Sequence, residues 1–145
     1  TMFAHLFRKN IQKGGFRDIQ YMYKNPEKYI LINTLPNNQQ DCLIYNTIPY
    51  EKEEVLLNSL LQSYDLHNKH IVIYGKNCVD ETSEKKCNQI HGLGFQYVFH
   101  YCGGLFEWLL LQDIYGRDEF PTTNYILDIL KYKPQKNISG NLLQN

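Results

Sequence analysis

The sequence predicts an α/β domain built on a parallel sheet covered by helices on both faces. Three observations predict it. Short β-rich runs alternate with amphipathic helical patterns along most of the chain. The run Ile71-Val72-Ile73-Tyr74 is apolar throughout rather than alternating, as a strand buried on both faces must be. That run then opens into a loop that closes onto a helix start at Thr82-Ser83-Glu84-Lys85, the kind of connection parallel strands require.

Each element has a local reason. Phe16 to Tyr23 reads as a helix closed by Asn25-Pro26, and Tyr29-Ile30-Leu31-Ile32-Asn33 as a buried strand ending before Pro36. After the polar loop Asn37 to Asp41, a second strand is expected from Cys42 to Ile48, stopped by Pro49. The next helix starts with Glu51, Glu53 and Glu54 at the positive end of its dipole and carries Leu56, Leu57, Leu60, Leu61 and Tyr64 on one face. Lys69 to Tyr74 is the expected central strand. Cys87, Ile90 and Leu93 mark the buried side of the following helix, which ends near Gly94 as a C-terminal cap, so Cys87 reads as a core thiol. Phe95 to Tyr101 is the last expected strand, and Gly103-Gly104 turns the chain into a helix with Phe106, Trp108, Leu109 and Leu110. Phe120-Pro121-Thr122-Thr123 followed by Tyr125, Ile126, Ile129 and Leu130 predicts a further capped amphipathic helix, and the polar residues from 134 onward predict a flexible tail.

At 145 residues, 43% hydrophobic and 14% aromatic, the chain can build one core and no second domain. Fifteen basic residues balance fifteen acidic ones, so no broad field attracts nucleic acid or anionic lipid. Apolar runs of about four residues are far short of the roughly 20 needed for a membrane span. Cys42, Cys78, Cys87 and Cys102 form no CxxC pair and read as reduced thiols of a cytoplasmic protein; with scattered histidines, including His91 on a helix surface and His100 in a strand, no metal site and no cofactor are expected. Asn137-Ile138-Ser139 matches a glycosylation sequon without any mark of secretion. Thr1 ahead of Met2 reads as a residue foreign to a native start, or as the edge of an excised domain.

The functional question lies in the loop Gly75-Lys76-Asn77-Cys78-Val79-Asp80-Glu81, because free N–H groups and the dipole of the helix beginning at Thr82 converge there. The blocks Leu31-Ile32-Asn33, Asn46-Thr47-Ile48-Pro49, Ile71-Val72-Ile73-Tyr74 and Gly103-Gly104-Leu105-Phe106-Glu107-Trp108, in this order and at these separations, resemble the rhodanese-like domain family. The resemblance spans about residues 14–112 and its most specific part is the strand, Gly-Gly, three residues and Trp. It implies a three-layer domain with a central, about five-stranded parallel sheet flanked by helices, as in rhodaneses and dual-specificity phosphatase catalytic domains. The resulting organisation is a rhodanese-like domain over 1–133, with its core at about 14–112 and a helical extension at 113–133, followed by the tail 134–145.

In active members, by the same resemblance, the central strand ends in a nucleophilic cysteine that carries a persulfide, and an arginine stands later in the loop. Here Gly75 follows the strand, and the arginine position falls at Asp80 or Glu81. The acid and arginine of an earlier strand end correspond to Asn33 and Leu35, and no histidine precedes the Asn-x-Ile-Pro block. Cys78, three residues on, is the candidate displaced nucleophile. Asp80 and Glu81 oppose it: at an effective dielectric near 20, one unit charge at ~6 Å is worth roughly 3 kcal/mol before screening, and Lys76 offsets one acid only. Asp80 or Thr82 capping the helix, with Glu81 and Glu84 favouring its dipole, is the structural alternative. Trp108 reads as core, Lys85-Lys86 as a solvated helix face, and the twelve tyrosines as strand surface or interface. No serine or threonine stands in a nucleophile elbow with a histidine and an acid.

The expectation is a rhodanese-like domain that has lost sulfurtransferase activity and serves as a binding or regulatory module for an unidentified protein partner. The segment Leu109 to Leu130 is its distinguishing surface or a fold-completing lid. The alternative is an atypical thiosulfate sulfurtransferase with a persulfide on Cys78, for which thiosulfate or a persulfide donor is the substrate.

Overall fold

The computed structural model describes residues 11–136 and Ile138. The elements are β1 (Ile11–Gly14), α1 (Phe16–Met22), β2 (Tyr29–Asn33), α2 (Tyr50–Gln62), β3 (His70–Tyr74), α3 (Thr82–Gly92), β4 (Val98–Tyr101) and α4 (Gly104–Tyr115), with a 3-10 turn at Ile129–Tyr132. The four strands of the described residues are parallel, in the order β1-β4-β3-β2. The expected central strand is thus inside the sheet, with Ile71 opposite both Ile30 and Val98.

Strand period two splits the core into two layers. Ile30, Ile32, Ile71, Ile73 and Val98 face α2 and α3, where Leu57, Leu60, Cys87 and Ile90 close the packing. Leu31, Val72, Tyr74, Phe99 and Tyr101 face α1 and α4, against Ile19, Met22, Leu105, Trp108 and Leu109. Trp108 is fully buried, packs edge-on against Tyr23, Tyr101 and Phe120, and donates its indole N–H to the Pro121 carbonyl at 3.1 Å. The core reading of Trp108 and Cys87 is therefore correct. Gly94 takes φ +113° just past the end of α3, the left-handed position expected of a C-terminal cap.

Five expectations need correction. The strand from Cys42 to Ile48 is not formed: Thr47 makes one parallel bridge to Leu31, but Asn46 turns the chain at φ +67°, and Leu43 and Tyr45 bond to Thr123 and Pro121 instead. Among the described residues the sheet consequently has four strands, not about five, and its fourth member is β1, an edge strand whose Ile-Gln-Lys-Gly sequence carries too little apolar signal to announce itself. The helix expected from Phe120 to Leu130 is an extended strap, because Pro121 disfavours helix at Phe120 and the β-branched Thr122 pairs with Ile44. The extension over 113–133 is helical only through the end of α4 and in the short 3-10 turn. Tyr64, assigned to the buried face of α2, is 84% exposed because it lies past the helix end at φ +55°. Thr1, Met2 and most of the tail, including Asn137 and Ser139 of the sequon, lie outside the described residues.

The strap completes the core rather than standing apart from it. Phe120 and Tyr132 are buried among the side chains of α1 and α4, and Gln112 donates to the Phe120 carbonyl at 2.8 Å and to Thr122 Oγ1 at 3.0 Å. The lid reading of this segment describes it better than a free helix. No helix of the described residues is long and apolar enough to cross a membrane.

Candidate functional site

The loop after β3 is a short circuit of hydrogen bonds centred on one carboxylate. Asp80 Oδ2 accepts the Lys76 backbone N–H at 3.2 Å, while Oδ1 accepts the Thr82 N–H at 3.0 Å and the Thr82 hydroxyl at 2.8 Å. Asp80 thus satisfies a donor at the start of α3, as a capping acid should, and turns its charge inward over the loop. Thr34, at the end of β2, joins the cluster through Thr82 Oγ1 at 2.9 Å.

Gly75 lies buried beneath this carboxylate. A Cβ at this position would come within 2.9 Å of both Asp80 Oδ2 and Thr34 Oγ1, and 3.2 Å of Ser83 Cβ. No side chain of any kind fits there without displacement of Asp80. The Gly75 and Lys76 carbonyls accept the N–H groups of Leu105 and Phe106, each at 2.9 Å, so the first turn of α4 also grips the loop. Gly104, at φ +70°, permits this approach: a Cβ there would lie 2.8 Å from the Gly75 carbonyl oxygen.

The far side of the loop is tied to the strap. Asn77 is buried, accepts the Val79 N–H at 3.1 Å and donates to the Tyr132 carbonyl at 3.0 Å. The N–H groups of Lys76, Val79, Asp80 and Thr82 are all committed within the loop, leaving fewer amides to hold an anion. Cys78, Val79, Glu81 and Thr82 are exposed, whereas Lys76 and Asp80 are half-buried. Glu81 pairs with Lys85 at 3.9 Å across nearly bare side chains, which contributes little.

At the end of β2, the buried Asn33 forms an amide pair with the half-buried Gln40. Its Oδ1 accepts from Gln40 Nε2 at 2.8 Å and from the Leu35 N–H at 3.0 Å, and its Nδ2 donates to Gln40 Oε1 at 3.0 Å. Leu35 is core. The positions matched to an acid and an arginine therefore hold a structural turn.

The sequence reading missed a second group. Ser83 Oγ lies 2.8 Å from His100 Nε2, and His100 Nδ1 lies 3.6 Å from Cys102 Sγ. Ser83 and His100 are buried, and Cys102 is half-exposed at the end of β4. Burial holds the imidazole below its ordinary range, Lys13 adding to the effect and Glu84 opposing it. The two-residue spacing of His100 and Cys102 in a strand context puts them on one face and was the available signal; the Ser83 partner, seventeen positions away, had none.

Comparison with solved structures places this architecture. The BH2092 protein of Bacillus halodurans superposes with a TM-score of 0.59 at 16% identity, over 98% of this chain and 96% of that one. The Alr3790 protein of Anabaena sp. gives 0.55 at 20%, over 81% and 97%. Yeast Ygr203w, described as a protein tyrosine phosphatase of the rhodanese family, gives 0.59 at 13%, over 83% and 96%. No protein-family model matches the sequence, and no curated protein matches it either. At these identities the likeness establishes the fold: this chain has the rhodanese-like fold.

Proposed function

We propose that this rhodanese-fold domain has no sulfurtransferase activity and acts as a protein-binding or regulatory module. The observation that carries the reading is the Asp80 carboxylate folded over Gly75. It puts a negative charge and a steric block where a persulfide or an oxyanion would have to sit, and it consumes loop N–H groups that would otherwise hold either one. The same carboxylate argues against phosphoryl chemistry of the kind named for yeast Ygr203w, which needs a cationic loop. A binding role is supported by the apolar side chains left exposed on α4 and the strap, Ile114, Tyr115, Leu127 and Leu130.

Cys78 remains the second reading, because it is exposed on the same loop. Incubating the reduced protein with thiosulfate and weighing it intact, beside Cys78→Ser and an active rhodanese, separates the two. The expected result is a gain of one sulfur atom in the control alone. A gain in this chain that disappears in Cys78→Ser puts the persulfide on Cys78 and overturns the proposal. The binding role predicts concentration-dependent association with itself or with a purified partner that Leu127→Asp weakens.

A further inference from the structure

We propose that Cys102, His100 and Ser83 form a thiol–disulfide exchange site, separate from the Gly75 loop, that reacts with small uncharged disulfides. The proposal stands on the geometry of β4 and α3 and does not depend on the role assigned to the domain.

His100 is the link. It is 7% exposed, and both its ring nitrogens are engaged, Nε2 with Ser83 Oγ at 2.8 Å and Nδ1 with Cys102 Sγ at 3.6 Å. In the tautomer whose Nε2–H donates to Ser83, the lone pair of Nδ1 faces the thiol and can take its proton. Burial favours the neutral imidazole, so at neutral pH the ring is free of a proton, while the same burial makes it a weak base that holds the thiol proton only briefly. Ser83, itself 2% exposed on the first turn of α3, holds the ring in place through Nε2. It is a positioning residue, and His100 is the base.

The other thiols do not share this arrangement. Cys42 and Cys87 are buried, and burial pushes the Cys87 thiol up to about 12, the charges of Cys102 and Glu84 adding and Lys13 opposing. Cys78 is exposed, but among the described residues no base is hydrogen-bonded to it. Cys102 alone joins partial exposure to an imidazole within reach.

The imidazole also borders a cavity that Cys102 itself does not line. A cavity of about 360 Å³ between β1, α3 and β4 is lined by Ile11, Lys13, Glu84, Cys87, Asn88 and His100. The charged and titratable groups facing the imidazole are Lys13 from β1, Glu84 and Cys87 from α3, and Cys102 from its own strand end. One cation and one carboxylate balance around the imidazole, so a disulfide approaching it meets no net charge.

The step balances without an added reagent. The Cys102 thiol proton passes to His100 Nδ1, and Sγ attacks one sulfur of the disulfide. The substrate S–S bond breaks as the new one forms, and the departing thiolate takes the proton back from Nδ1. The Cys102 sulfur is oxidised, the substrate disulfide is reduced, and the products are a mixed disulfide and one free thiol.

The test uses the full chain, reduced, with 2-hydroxyethyl disulfide at pH 7 and peptide mass spectrometry to locate the adduct. Cys102 is expected to react at least about tenfold faster than Cys78. His100→Gln is expected to slow Cys102 by about tenfold without affecting Cys78, and Ser83→Ala by about threefold. Ser83→Thr, which keeps the hydroxyl, is expected to retain the parent Cys102 rate. An adduct confined to Cys78, or a Cys102 rate unchanged in His100→Gln, overturns the proposal. If His100→Gln does not fold, Ser83→Ala and Ser83→Thr decide: a Cys102 rate unchanged in Ser83→Ala, or lost equally in Ser83→Thr, overturns it.

Discussion

Asp80 Oδ2 occupies the space above Gly75, 2.9 Å from where a β-carbon would project. The two residues are mutually dependent. A side chain at position 75 requires Asp80 to leave, and Asp80 keeps its hydrogen bond to the Lys76 N–H only while position 75 stays bare.

Gly75→Cys alone is therefore expected to destabilise the domain by about 1–3 kcal/mol through overpacking, while Gly75→Cys combined with Asp80→Ala recovers part of that loss. Urea denaturation of both singles and the double, read as a double-mutant cycle, checks this. Additive effects would show that the two side chains do not compete for the same space.

The tie between loop and strap predicts a local effect of Asn77→Ala. It leaves the Tyr132 carbonyl and the Val79 N–H without their partner, at about 1–3 kcal/mol. Hydrogen exchange should then quicken in both segments together, at 76–80 and around 129–133. Faster exchange in the loop alone would mean that the strap is held by its own packing.

Two buried tyrosines should respond in opposite ways to loss of the hydroxyl. The Tyr132 hydroxyl is buried with no hydrogen-bond partner among the described residues, so Tyr132→Phe is expected to be neutral or to stabilise by up to ~1 kcal/mol. The Tyr74 hydroxyl accepts the Ile44 N–H at 3.1 Å and lies 2.7 Å from Thr47 Oγ1, so Tyr74→Phe should cost about 1–3 kcal/mol. Thermal melts of the two variants side by side give the comparison.

Acid should weaken the fold from near neutrality downward. Burial lowers both His100 and His70 below the ordinary 6.5, Lys13 adding at His100 and Lys28 at His70. Above that value both imidazoles are neutral in either state. As pH falls through it, the unfolded chain takes up protons first, so stability falls toward the lowered folded values. The denaturation midpoint should drop between pH 7.5 and 5.5, and His100→Gln should flatten part of that slope. An unchanged slope in this variant would remove His100 from the account.

Much of the fold was legible because its signals are local. The apolar run Ile71 to Tyr74, the acidic start of α2 and the turn at Gly94 each follow from residues that are neighbours in sequence. The failures at Cys42 to Ile48 and Phe120 to Leu130 involve partners far apart. Cys42 to Ile48 has strand-like residues, yet its backbone groups pair with a strap some eighty positions later, and that pairing also overrides the helical spacing of Ile126, Ile129 and Leu130. At the site, the acidic loop was readable, but the inward turn of Asp80 was only one of two options on the page. The Ser83 to His100 contact required knowing that the start of α3 lies over the end of β4.

Gly104 gives the Gly-Gly turn before Trp108 a meaning that concerns distance rather than reactivity. With a carbonyl oxygen 2.8 Å from its missing β-carbon, it sets how near one stretch of main chain can come to another. That demand is the same whether the neighbouring loop ends in a nucleophile or in a bare glycine. A search keyed to this turn and its tryptophan consequently finds chains that close a sheet onto a helix at short range, and it is blind to whether they catalyse anything.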